Sequence, residues 1–385
     1  MSWDRVIGQE KAKTILQKAI INNKVANAYL FHGIEGIGKD ALAFEFAKVL
    51  NCPNPIIENN TIQVSPEFEK KYGNNIFIIP DIEFITALPS SKSTDKNSSG
   101  IDKFTKEQHE ELKLELNQKQ LDYYHRINIS NANQIRIGQI RELKKKLILS
   151  NSNEYRKCII ISNAEKMSVE SSNSLLKTLE EPKSNTTIIL TCSNIDRILP
   201  TIKSRCQIIK CQPINQLKIK NYLIQKYNLS DVDANLFSVL SQGSISSAIK
   251  FIDDDYVKLR GYVIDLLRTT MKKKTYRMEF ISMLNEFNLI KDKVISEIFL
   301  KLMILWFNDI IKVLNNQENH RKIENIINYD HIDILNKFAK HYTKADYQQV
   351  IKDIEKSINQ INKNVKINLI YYSLFIKLRK NLLEK

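Results

Sequence analysis

The chain has 385 residues, 43% of them hydrophobic, and a formal net charge of +15. That length exceeds one ordinary compact domain and predicts two or three, and the apolar content excludes wholesale disorder. The charge has two readings: lysines spread over solvated faces by compositional bias, or a basic surface facing nucleic acid or an acidic partner.

The five cysteines, Cys52, Cys158, Cys192, Cys206 and Cys211, include no C-x-x-C pair. Three sit in or beside apolar runs, where buried thiols are common. The start, MSWDRVIGQE, has no apolar core segment, and no run approaches the roughly 20 apolar residues of a membrane span. A reduced, cytoplasmic protein without membrane contact is expected.

Residues 4–23 carry apolar positions at helical spacing and predict an amphipathic helix. Residues 28–32 (AYLFH) form a short apolar strand that leads into Gly33-Ile-Glu-Gly-Ile-Gly-Lys-Asp40 and then an Ala/Leu/Phe helix. Strand, glycine loop and helix are the setting of a phosphate-binding loop, whose backbone N–H groups converge on phosphate oxygens. Gly33, Gly36, Gly38 and Lys39 fit that role. The Ser or Thr that would hold Mg²⁺ is replaced by Asp40, which adds negative charge where a polyphosphate belongs. Two readings of the loop stand: glycines kept for the turn and helix packing, or residual nucleotide binding at Lys39 without hydrolysis.

The next part is the least readable. Residues 76–80 read as a strand, 86–100 as a Ser/Lys/Asn-rich surface loop, and 103–126 as a charged, exposed helix with a thin apolar stripe. The glutamates and lysines of that helix are expected on a solvated face, and His109 and His125 stand too far apart to suggest a metal site. Residues 134–150 predict an amphipathic helix with a basic face of Arg136, Arg141, Lys144, Lys145 and Lys146, a candidate DNA-facing surface.

Residues 158–162 (CIIIS) predict a strand, 168–179 a helix with a serine start, and 187–191 (TIILT) another strand. In a phosphate-loop ATPase the first of these strands should end in an Asp for Mg²⁺ and a Glu for the attacking water. It ends in Ser162-Asn163. Glu165 lies two residues on and is not expected to act catalytically. Arg205 precedes the last apolar run.

Asn173-Ser-Leu-Leu-Lys-Thr-Leu-Glu-Glu-Pro182, followed by Leu199 to Ser204-Arg205-Cys206, closely resembles the clamp-loader branch of the AAA+ proteins. Val6-Ile-Gly-Gln9 and Gln139-Ile-Arg-Glu-Leu143 fit as well. The resemblance covers about the first 210 residues, with an insertion at about 55–130. It implies an α/β P-loop AAA+ domain with a parallel sheet at 1–213, a small helical lid at 214–255 and an all-helical oligomerisation collar at 256–385. Residues 214–385 by themselves support helices only; Trp306 and Phe307 are expected in a core or a subunit interface.

Within that branch, gamma/tau-type motor subunits keep the loop and the acids. This chain lacks them at Asp40, Ser162 and Asn163, and Ser246 stands where a second sensor arginine would contact nucleotide. An intact SRC with a degenerate ATPase site resembles the delta prime type. Such a subunit is implied to have no catalytic activity of its own. Arg205 would enter a neighbour's ATP site as a trans-acting arginine finger, a role suited to a fork that is always charged. Ser204 and Cys206 would shape the loop. The implied partners are gamma/tau-type and delta-type subunits, primed DNA and the sliding clamp. ATP would be bound by neighbours, and no zinc is expected, since only Cys52 lies where that family often carries a four-cysteine module. An active gamma/tau-type ATPase and a free-standing basic DNA-binding protein are the alternatives.

Overall fold

The computed structural model describes the chain except for residues 1–2, 59–60, 74, 80, 90–100, 102–103, 150–155, 184, 253, 320–325, 344 and 384–385. Most of the Ser/Lys/Asn-rich loop thus lies outside the described residues. The chain divides into two compact units, one of Met1–Ile219 with Ser241–Ser247, the other of Lys220–Leu240 with Ala248–Lys385.

The first unit is built on the apolar runs. In chain order its strands are β1 (Ala28–His32), β2 (Ile56–Glu58), β3 (Thr61–Gln63), β4 (Ile82–Ile85), β5 (Lys157–Ile161), β6 (Thr186–Cys192) and β7 (Gln207–Lys210). Five of them make a parallel sheet in the order β4-β5-β6-β1-β7, and β2 and β3 form a separate antiparallel pair. Its helices are α1 (Glu10–Ile21), α2 (Lys39–Asn51), α3 (Pro66–Tyr72), α4 (Lys106–Leu121), α5 (Ile137–Leu149), α6 (Val169–Glu180) and α7 (Pro200–Lys203).

Helices cover both faces of the sheet, which is why β1, β5 and β6 read as continuous apolar runs rather than alternating ones. Leu30, Ile159, Ile161, Ile188 and Leu190 face Ile140 and Leu143 of α5, Leu175 and Leu179 of α6, and Ile202 of α7. On the other face Tyr29 meets Phe46 of α2 edge-on, with ring centroids 5.1 Å apart. The parallel sheet flanked by helices is the α/β class that the sequence predicts.

One expected strand is absent. Ile76–Ile78 is a single turn of 3-10 helix, started by the Asn75 side chain accepting from the Phe77 N–H. Ile76 is buried while Ile78 is exposed, and the place beside β5 is taken by β4, with Ile82 opposite Cys158 and Ile85 opposite Ile161. A short apolar run cannot declare its period, and β4 follows it too closely for the sequence to choose.

The second unit is helical throughout its described residues. A segment starting in α8 (Gln216–Tyr227) is followed by α9 (Asp231–Leu240), α10 (Ile245–Lys250), α11 (Asp254–Met271), α12 (Tyr276–Glu286), α13 (Lys293–Asn319), α14 (Ile332–His341), α15 (Tyr347–Asn362) and α16 (Ile367–Leu383). Phe299, Met303, Trp306, Phe307, Ile310 and Val313 recur at helical spacing on α13 and are buried, with Phe307 against Phe338 of α14 and Tyr347 of α15. No helix of the described residues is long and apolar enough to cross a membrane.

Candidate functional site

Two places in the first unit carry the residues singled out by the sequence. The glycine loop follows β1 at the C-terminal edge of the sheet. Arg205 precedes β7 at the N-terminal edge, because β7 runs parallel to β1 with Gln207 opposite Tyr29 and Lys210 opposite His32. The intervening strand is four residues, about 13 Å long. The structure therefore does not bring Arg205 together with Gly33, Gly36, Gly38 and Lys39.

At the loop, Gly36 and Gly38 have φ of 77° and 89°. A Cβ at Gly36 would lie 2.3 Å from Ser244 Oγ, and one at Gly38 2.8 Å from the Tyr124 ring. Left-handed backbone and close approach both demand glycine there. Lys39, which opens α2, is 6% exposed. Its ammonium donates to the carbonyls of Gly33 and Ile34 at 2.8 Å each and to Ser193 Oγ at 3.2 Å. Burial is the main influence on it and lowers its pKa, with Asp40 and Glu165 acting the other way.

Asp40 is the centre of a polar cluster. It accepts from Ser162 Oγ at 2.9 Å and from Thr191 Oγ1 at 2.8 Å, and Lys119 Nζ of α4 lies 3.2 Å from its carboxylate. Burial pushes the carboxyl up, but Lys119 and the two hydroxyls outweigh it and leave it below its usual value. Ser162 thus serves as a donor to Asp40. Glu165 accepts from the Ser193 N–H at 2.8 Å, and its second carboxylate oxygen is buried without a hydrogen-bond partner.

The helix read as an exposed insertion reaches this cluster. Thr105 and Gln108 form a capping box that starts α4, and most of its charged side chains do face solvent. Lys119, however, is 4% exposed, which corrects the expectation for that residue: a carboxylate inside the glycine loop's helix draws an ammonium inward. Beyond α4, the Tyr124 hydroxyl accepts from the Ile7 N–H at 2.7 Å, Ser246 Oγ donates to the Tyr124 carbonyl at 2.6 Å, and Arg126 pairs with Glu35 at 2.8 Å. The space left among these groups is about 50 Å³, against the roughly 300–1,000 Å³ of clefts that hold small ligands.

A bound nucleotide with Mg²⁺, which the phosphate-loop setting implies, does not fit these residues. No hydroxyl at position 40 and no acid at 162 or 163 is present to hold the metal, and Lys119 and Tyr124 fill the approach. Sequence reasoning missed both. The available signal was Asp40 itself, a carboxylate needing a cation, but 58 lysines and arginines were candidates.

At the other edge, Arg205 follows α7 and its C-terminal cap Ser204. Its guanidinium donates to the Thr201 carbonyl at 2.8 Å and to Ser204 Oγ at 3.2 Å, and it lies 2.6 Å from the Glu180 carboxylate. A third of the side chain remains exposed (34%). Ser204 Oγ in turn donates to Thr201 O. Cys206 packs against the sheet core, and burial pushes its thiol up to about 12, which keeps the nucleophilic thiolate from forming.

Among the described residues, no group of three His, Cys, Asp or Glu side chains is placed to hold a metal ion. Cys52 Sγ instead accepts from the Ser65 N–H at 3.3 Å.

The chain is similar to several known proteins. The chain is 25% identical over 236 residues to a DNA polymerase III subunit delta' of Bacillus subtilis (strain 168), covering 60% of this chain and 69% of that one. It is 27% identical over 390 residues to a DNA polymerase III subunit gamma of Buchnera aphidicola subsp. Schizaphis graminum, covering 99% and 90%. A subunit delta' of Pseudomonas aeruginosa is 30% identical over 183 residues, 47% of this chain and 42% of that one. The family described as "DNA polymerase III, delta subunit" matches residues 8–215, more than half of the chain, and the chain belongs to that family.

Proposed function

We propose that the chain is a delta prime-type subunit of the DNA polymerase III clamp loader, which does not hydrolyse ATP and supplies Arg205 in trans to a neighbouring ATPase subunit. The observation that carries this reading is the placement of Arg205: partly exposed, forked, and at the opposite edge of the sheet from its own glycine loop. An arginine so placed cannot serve the loop of its own chain, and a guanidinium delivered from outside is worth roughly 10³–10⁵ in rate at phosphoryl-transfer sites of other systems. The absence of a metal-holding hydroxyl at Asp40 and of acids at Ser162 and Asn163 supports the non-hydrolysing part. Its partners would be gamma/tau-type and delta-type subunits, and the assembly would place a sliding clamp on primed DNA.

The gamma/tau-type reading has the nearly full-length similarity to the Buchnera subunit gamma in its favour. Steady-state ATP hydrolysis by the purified chain separates the two. Turnover abolished by Lys39→Ala would overturn the delta prime reading. For the finger, reconstitution with gamma/tau-type subunits compares wild type with Arg205→Ala: assembly stays normal while ATPase and clamp loading fall. Normal loading by the variant would remove Arg205 from that role.

A further inference from the structure

Gly36, Gly38, Lys39 and Asp40 of the glycine loop are each met by groups of the same chain. We propose that residues 119–126 are the resident ligand of the glycine loop. The Lys119 ammonium stands in for a divalent cation, and Tyr124 lies against Gly38 where phosphates would need the backbone. The segment deepens the non-hydrolysing reading but is independent of the finger, since Arg205 lies at the other edge of the sheet.

The chemistry at Lys119 matches that of a metal site in outline. Its ammonium faces the Asp40 carboxylate, which also receives the hydroxyls of Ser162 and Thr191, and donates to the His125 carbonyl at 2.8 Å. An oxygen-rich pocket around a compact cation is what a hard divalent ion would find. Here the cation is covalently attached to α4 and cannot leave. Tyr124 is held at three points: its hydroxyl by Ile7, its carbonyl by Ser246, and its ring by Gly38. Lys39, the residue that would reach terminal phosphates, is turned onto the carbonyls of its own loop. An intramolecular ligand binds without the loss of translational freedom that a free nucleotide must bear, so the closed form needs no cofactor to persist.

The test is titration of the full-length chain with a fluorescent ATP analogue in the presence of Mg²⁺. Wild type shows no saturable binding tighter than about 1 mM. Asp40→Ser alone, which restores the phosphate-loop hydroxyl, remains as weak. The triple variant Asp40→Ser/Lys119→Ala/Tyr124→Ala binds at least tenfold more tightly than Asp40→Ser. Equal binding by Asp40→Ser and the triple variant, a folded triple variant without the gain, or micromolar binding by wild type each overturns the proposal. Should the triple variant not fold, hydrogen exchange on wild type decides: Mg·ATP leaves the exchange of residues 36–40 and of residues 119–126 unchanged. Protection appearing at 36–40 with Mg·ATP, or faster exchange at 119–126 with it, overturns the proposal. Arg205→Ala leaves all of these readings as in wild type, so loss of the finger role and loss of the resident ligand are separately visible.

Discussion

Arg205 and Glu180 form an ion pair of 2.6 Å, joining the turn before β7 to the last residue of α6. Each comes from one of the two motif segments that mark the family in the sequence. A glutamate at a helix C-terminus opposes the helix dipole, and the guanidinium offsets that repulsion. Both side chains are more than a third exposed or close to it, at 34% and 47%, so the pair holds orientation more than stability.

Arg205→Ala is accordingly expected to change the unfolding free energy by no more than about 1 kcal/mol, as is usual for exposed pairs. In a reconstituted complex the same substitution is expected to lower ATP hydrolysis by roughly 10³-fold or more. Arg205→Lys recovers little, because a single ammonium cannot fork two oxygens. Denaturant melts of the isolated chain and ATPase assays of the complex check the two halves.

Lys119→Ala leaves the Asp40 carboxylate facing only hydroxyls. The pair lies between the buried and exposed limits, with Lys119 enclosed and Asp40 19% exposed on its side chain. A loss of about 2–4 kcal/mol is expected, between what surface and fully buried pairs show. Lys119→Ala/Asp40→Ala is expected to be less damaging than Lys119→Ala alone, and a double-mutant cycle by calorimetry measures the coupling.

Lys39→Ala distinguishes a structural lysine from a nucleotide-binding one. Removing the ammonium strips a charged donor from the carbonyls of Gly33 and Ile34, at an expected cost of about 1–3 kcal/mol. The thermal midpoint falls with or without Mg·ATP present. A midpoint that ATP raises in wild type and not in the variant would contradict the structural role.

Two carboxylates predict opposite pH trends. The Asp40 pKa is depressed in the folded state, so its stabilising contribution is complete near neutrality and is lost as pH falls through the acid range below its ordinary value of 3.8. Glu45 of α2 is fully buried near Arg5 at 3.6 Å and Lys48 at 3.9 Å, and burial raises its pKa from 4.5 to about 7. Between those values the folded chain keeps a proton that the unfolded chain has released. Stability should therefore decline from about pH 4.5 to about pH 7, by about 3 kcal/mol if nothing else titrates. Glu45→Gln removes that decline, which unfolding measured across the range checks.

Much of the site could be read in the order of residues. The glycines of 33–38 announce left-handed turns because glycine tolerates them best, and Ser204-Arg205-Cys206 is singled out by its resemblance to a family motif, not by its composition. The apolar runs 28–32, 158–162 and 187–191 place three neighbouring strands, since burial on both faces imposes continuous apolar character. The 76–80 run misled because a period cannot be seen in so few residues.

What the sequence alone determined is a parallel α/β unit with a glycine loop, an acid at Asp40 with no acid at Ser162 or Asn163, and an arginine set before the last strand. Only the tertiary structure decided what those residues face. Lys119 and Asp40 are 79 positions apart in the chain, and nothing local distinguishes Lys119 from the lysines around it. The desolvated Asp40 carboxylate selects it through Coulomb attraction across space, and that attraction depends on where α4 packs, not on the residues beside it.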